Sequence, residues 1–172
     1  MPLLLLTFIE IALLRKGPED IPRSTLFLVV AAAFWLFVTL LNWMFIDDFT
    51  GFDIGVSIAS VLLSLIAYGL FIAARGKQPR LVQSFTAILG ATTCVSLVLL
   101  LLIIAFPLDT APSAVTLALI LLWFWTVQVE GHIISRTTDI NLMSGVAIAA
   151  FVFVVQILFT DFMNVLQQTP SA

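Results

Sequence analysis

The sequence holds one cysteine, one histidine and one tyrosine in 172 residues, and only 7 Lys and Arg beside 10 Asp and Glu. Each scarcity removes a class of function. A single cysteine, Cys94, cannot close an intrachain disulfide. One Cys and one His, His132, cannot supply the four ligands of a Cys/His zinc site. Cys94 lies between Thr93 and Val95 in an apolar stretch and reads as a small packing residue. A Ser-His-Asp triad would have to use His132, and no nucleophile elbow accompanies it. No glycine-rich loop followed by lysine offers a phosphate cradle. The net charge of −3 comes without a basic stripe, which argues against nucleic acid as a partner. No catalytic set and no cofactor are therefore expected, and the balance leans away from an enzyme. The N-terminus has no basic residues ahead of its apolar run and no small-residue cleavage site behind it, so it does not read as a signal peptide.

What the chain has is apolar bulk. Hydrophobic residues make up 62% and charged residues 10%, against about 45–50% and about 25% in an ordinary soluble domain. The apolar runs are long enough to cross a bilayer, which takes about 20 helical residues. Five such spans are expected, at 25–46, 54–74, 81–106, 114–134 and 140–159. The fold class is an all-α integral membrane protein, with an N-terminal interfacial amphipathic helix added to the five spans. That helix is expected over residues 1–14, too short to span, with Pro2 in its first turn and Gly17-Pro18 ending it. Residues 1–24 then form an interfacial helix and a Pro/Gly-rich turn, and 25–172 the membrane domain. Ser24 or Thr25 is placed to cap the first span. The short loops predict that neighbours in sequence are antiparallel neighbours in space.

Charge sorts by side. With residue 1 in the cytoplasm, Arg15, Lys16, Arg23, Arg75, Lys77, Arg80 and Arg136 are all cytoplasmic, and these are all seven basic residues. The opposite segments carry Asp47, Asp48, Asp53, Asp109 and Asp161. Lys and Arg at span ends set orientation, so the expectation is an inner-membrane protein with its C-terminus on the periplasmic side. Arg15, Lys16, Arg23, Arg75, Lys77 and Arg80 are candidates for contact with anionic headgroups.

The spans are nearly free of charge except at the end of the fourth. There Gln128, His132 and Arg136 are spaced i, i+4, i+8 and share a face, while Glu130 points the other way. An intramembrane ionisable group is a functional candidate by default, so these four form the candidate polar cluster. The plainer expectation puts Glu130 in the headgroup layer, paired with a basic residue of another cytoplasmic turn. Asn42 and Gln156 are lone amides expected to hydrogen-bond across helices. Gly55/Ala59, Ser60/Ser64, Gly90/Cys94 and Gly145/Ala149 are small pairs four residues apart that allow close helix approach.

The stretch Lys16-Gly17-Pro18-Glu19-Asp20-Ile21-Pro22-Arg23-Ser24 before the first span, and Glu130-Gly131-His132-Ile133 leading to a last span with Gly145, resemble small bacterial relatives in the Yip1 family. That resemblance implies five close-set spans, no catalytic residues, and a membrane-organising or partner-binding role. The long soluble N-terminal region of the eukaryotic members has no counterpart in this sequence, so their role with small GTPases is not carried over. The first functional expectation is a non-enzymatic scaffold in contact with the lipid bilayer, and with another membrane protein or a second copy. The alternative is a small oligomeric transporter or channel with Glu130 and His132 near its cytoplasmic mouth.

Overall fold

The computed structural model describes residues 2–45, 51–106 and 112–168. Among them are six helices: α1 (Pro2–Ala12), α2 (Thr25–Met44), α3 (Gly51–Ala74), α4 (Leu81–Ala105), α5 (Ser113–Thr138) and α6 (Leu142–Gln168). Short 3₁₀ turns at Pro18–Asp20 and Gln78–Arg80 precede α2 and α4. The five helices α2 to α6 are long and apolar enough to cross a membrane. Large apolar side chains such as Leu70, Trp123, Phe124, Phe151 and Leu158 stand exposed on them. These features fit a multi-pass membrane protein, because an aqueous solvent would penalise such surface at about 25 cal/mol per Å².

Several boundaries differ from the sequence expectation for local reasons. α3 starts at Gly51, so Asp53 lies in a first helical turn rather than a loop. Asp47, Asp48 and Asp109 lie outside the described residues. α5 runs to Thr138, and the turn expected at 135–139 is the last helical turn. The reversal is made by Asp139, which takes a left-handed φ of 55°, a conformation its short polar side chain tolerates. The Ile140 N–H then closes back on the Ser135 carbonyl at 3.1 Å. Asn141 Oδ1 accepts from the Ser144 N–H at 2.7 Å and starts α6. α6 continues past 159 to Gln168, so Asp161 is helical. Ser24 holds the N-cap position of α2, but its hydroxyl makes no cap bond.

α4 is the central helix. α2 and α5 pack on it, α6 packs on α5, and α3 packs on α6. The expected pairing of sequence neighbours holds for α4–α5 and α5–α6. It does not hold for α2 and α3, whose main contacts are with α4 and α6. Small residues decide the tightest crossing. A Cβ built on Gly131 would lie 2.6 Å from the Val146 Cα, and one on Gly145 would collide with the Gly131 carbonyl and stand 2.8 Å from the Ser135 Cβ. With Ala149 fully buried beside them, α5 and α6 approach backbone to backbone. Among the described residues, a Cβ built on Gly55 would meet nothing within 4 Å.

α1 forms as expected and ends before Gly17-Pro18. Its closure is at Leu14, with a φ of 60°, and the Arg15 N–H returns to the Glu10 carbonyl at 2.8 Å. Phe8, Ile11 and Ala12 are buried against α4 and α5, with the Phe8 ring in the space left by Gly90. The opposite side of α1 carries Leu5, Leu6 and Ile9, all exposed, and Leu13 just past its end is exposed too. The polar face of an amphipathic interfacial helix is therefore missing. α1 is one more packed helix of the bundle, apolar on both sides.

The turns that carry the basic residues meet at one end of the bundle. Arg23 Nε donates to Gln83 Oε1 at 3.1 Å, and Gln83 Nε2 donates to the Ile21 carbonyl at 2.6 Å. Arg80 donates to the Thr137 carbonyl at 3.0 Å and to Asp139 at 3.1 Å, while Lys77 pairs with Asp139 at 2.6 Å. The Lys77 and Arg80 hydrogen bonds hold the Asp139 carboxyl below its ordinary value of 3.8. A lowered folded pKa means that its contribution to stability is present above 3.8 and lost as pH falls below it. An Asp139→Asn variant is expected to melt below the parent chain in detergent at pH 7. The two melting temperatures should converge as the pH is taken well under 3.8, and a gap unchanged by pH would disprove this clasp.

Candidate functional site: a buried carboxyl and the cavity above it

The four residues of the candidate cluster do not act as one. Gln128 is exposed on the bundle surface. His132 Nε2 lies 2.9 Å from the Lys16 carbonyl, and Arg136 forms an ion pair with Glu19. Trp125, seven positions before His132 and so on the same face, donates its indole N–H to the Ala12 carbonyl at 2.9 Å. This face of α5 thus fastens the N-terminal segment to the bundle. Lys16 is itself held by Glu10 at 2.6 Å, a hydrogen bond that raises its ammonium above the usual lysine value of 10.5.

Glu130 faces inward, as its register relative to Gln128 requires, and is only 9% exposed. It has no cationic partner among the described residues, which corrects the expected pairing with a basic turn. Its partner is Tyr68 of α3, fully buried, whose hydroxyl donates to Glu130 Oε2 at 2.6 Å. At 1.5 Å per residue, Glu130 lies about 12 Å inside the Thr138 end of α5. A carboxyl at that depth is costly unless it serves a purpose.

Glu130 also lines a half-open cavity of about 500 Å³ to which α2 to α6 all contribute. Its lining extends from Ser64 and Glu130, past Trp35, Thr92, Thr126 and Gln156, to Thr160 and Asp161 toward the end of the bundle away from the basic turns. Gln156 Nε2 crosses from α6 to the Ser60 carbonyl at 3.2 Å, the interhelical bond expected of it. Asn42 instead donates to the Val38 carbonyl of its own helix at 2.9 Å. Among the described residues, no group of three His, Cys, Asp or Glu is arranged to hold a metal ion.

Sequence reasoning missed Tyr68 and the hydroxyls around the cavity. Tyr68 carried a signal, since it is the one tyrosine and sits inside an apolar span; a buried phenol wants a partner. Ser64, Thr92 and Thr126 carried none, because such residues satisfy themselves on their own helix backbone throughout membrane bundles.

No family model, characterised protein or solved structure matches this chain.

Proposed function

We propose that this is a multi-pass inner-membrane protein, with its N-terminus cytoplasmic, that binds a small ligand inside the membrane, as a transporter or receptor component does. The carrying observation is Glu130: an acid deep in an apolar bundle, tied only to Tyr68 and lining a cavity of about 500 Å³. Ligand sites are commonly cavities of about 300–1,000 Å³, mostly apolar with a few convergent polar groups. A scaffold has no need of such a cavity. The sorting of all seven basic residues to one end supports the orientation, and on that orientation the cavity opens toward the periplasm. The apolar outer side of α1 suits acyl chains rather than a headgroup surface.

Access of water to the cavity tests the reading. In a Cys94→Ala background, Thr160→Cys and Ser96→Cys should react with a membrane-impermeant maleimide added from the periplasmic side of whole cells, Thr160→Cys faster. If neither residue reacts from either side in intact membranes, the cavity is closed to water and the reading fails. A periplasm-active reporter at Ala172 that stays silent would reverse the orientation.

The Yip1-like, partner-binding reading retains one observation of its own, the unused space at Gly55 on α3. It expects Gly55→Leu to abolish copurification of a partner or second copy in mild detergent.

A further inference from the structure

We propose that the ligand of this cavity is an organic cation, an ammonium group on a compact apolar body; this rests on the binding function proposed above. The chemistry of the wall carries the inference. Two acids line the cavity, Glu130 at its floor and Asp161 at the other end, and no Lys, Arg or His lines it. An anion would meet two acids and no basic side chain there, whereas a cation would give the buried carboxylate the counter-charge that the Tyr68 hydroxyl alone does not supply.

Three of the six hydroxyl residues in the lining point the same way. Thr92 donates its O–H to the Ile88 carbonyl at 2.7 Å, Thr126 to the Leu122 carbonyl at 3.1 Å and Ser64 to the Val61 carbonyl at 2.8 Å. Each hydroxyl has one proton to give, and these three have given it to their own helices. What they can turn to a ligand is oxygen lone pairs, which favour a positive group. Trp35, Trp123 and Phe153 supply aromatic surface. Trp123 and Phe153 meet edge to face, 6.4 Å between centroids and 79° between planes. Ring faces attract ammonium groups through their negative quadrupole. A phospholipid headgroup fits poorly, because its phosphate would find no basic side chain in the cavity, whereas a soluble cation needs none.

The test uses the full chain purified in detergent and three isosteric probes: choline, the neutral 3,3-dimethylbutan-1-ol and the anionic 3,3-dimethylbutanoate. Quenching of tryptophan fluorescence reads binding, since Trp35 and Trp123 line the cavity. Choline should bind saturably and at least about tenfold more tightly than the alcohol, the ratio a 1.4 kcal/mol preference gives, with the anion weakest. Glu130→Gln should erase the preference for choline over the alcohol, while Asp139→Asn, a lost acid at the other end of the bundle, leaves it intact. If Glu130→Gln does not yield folded protein, Asp161→Asn at its exposed position decides, and should lower the same ratio. Equal binding of choline and the alcohol, or a choline preference indifferent to both cavity acids, overturns the cation inference while leaving a ligand-binding cavity standing. Failure of all three probes to bind a cavity that labels with maleimide also overturns it. Failure of the labelling itself removes the underlying function instead.

Discussion

Replacing Gly145 by leucine should deprive the chain of its folded state. The Gly145 Cα faces the α5 backbone, so that even a Cβ would run into the Gly131 carbonyl and lie 2.8 Å from the Ser135 Cβ. Neither obstacle is the end of a flexible side chain. Relief requires α5 and α6 to move apart, and Ala149, Gly131 and Ile134 would lose their packing with them. Overpacking of a core usually costs about 1–3 kcal/mol and more where backbone must move. Here about 3 kcal/mol or more is expected, a large part of a typical total of about 5–15 kcal/mol. The readouts are loss of a monodisperse peak in mild detergent and of a cooperative melt. Gly55→Leu is the matched control, since a Cβ there meets nothing within 4 Å; the protomer's melt should be unchanged. A Gly145→Leu chain that melts like the Gly55→Leu chain would show that the two helices are not in backbone contact.

Much of this architecture was legible in the sequence because apolar length is a one-dimensional property. The five long helices, the turns at Pro18 and Pro79, and the gathering of Arg15, Lys16, Arg23, Arg75, Lys77, Arg80 and Arg136 could all be read from runs and breaks. Helical register also placed Glu130 opposite Gln128 and His132 correctly. What register could not supply was the partner. The charge arithmetic favoured a basic residue for Glu130, but Arg80 is taken by Asp139 and Arg136 by Glu19, each at the bundle end where water lowers the penalty of charge. The inner carboxyl meets Tyr68 because α3 lies against α6 and reaches α5, a packing order that the loop lengths concealed. The same order misled the neighbour rule for α2 and α3. The cavity is a property of five helices at once, and no pattern within one helix announces it. The packing of α1 was hidden for a related reason: nothing in a 14-residue apolar segment with one acid announces that Gly90 leaves room for Phe8.

Phe8→Ala should therefore free the N-terminal helix. The Phe8 ring is 3% exposed and lies where a Cβ on Gly90 would stand. Removing it leaves a void beside a residue that has no side chain to fill it, and large aromatic truncations cost about 3–5 kcal/mol in soluble cores. The lower end is expected, because α1 buries only one of its sides. The loss is local. The remaining ties to α5 are the Trp125 bond to the Ala12 carbonyl and the His132 contact with the Lys16 carbonyl, each about 1 kcal/mol net. In a Cys94→Ala background, Ile11→Cys should be protected from a permeant maleimide when Phe8 is present and labelled readily when it is alanine. Leu5→Ala, on the exposed side, should change nothing. Gly90→Ala on its own should also release α1, since its methyl would collide with the ring. In Phe8→Ala/Gly90→Ala the methyl instead enters part of the vacated space, so the double variant should be less destabilised than the two single effects added together. Strict additivity would mean that the ring and the glycine do not meet, and α1 would then have to be held by Ile11, Ala12 and the backbone bonds to Trp125 and His132.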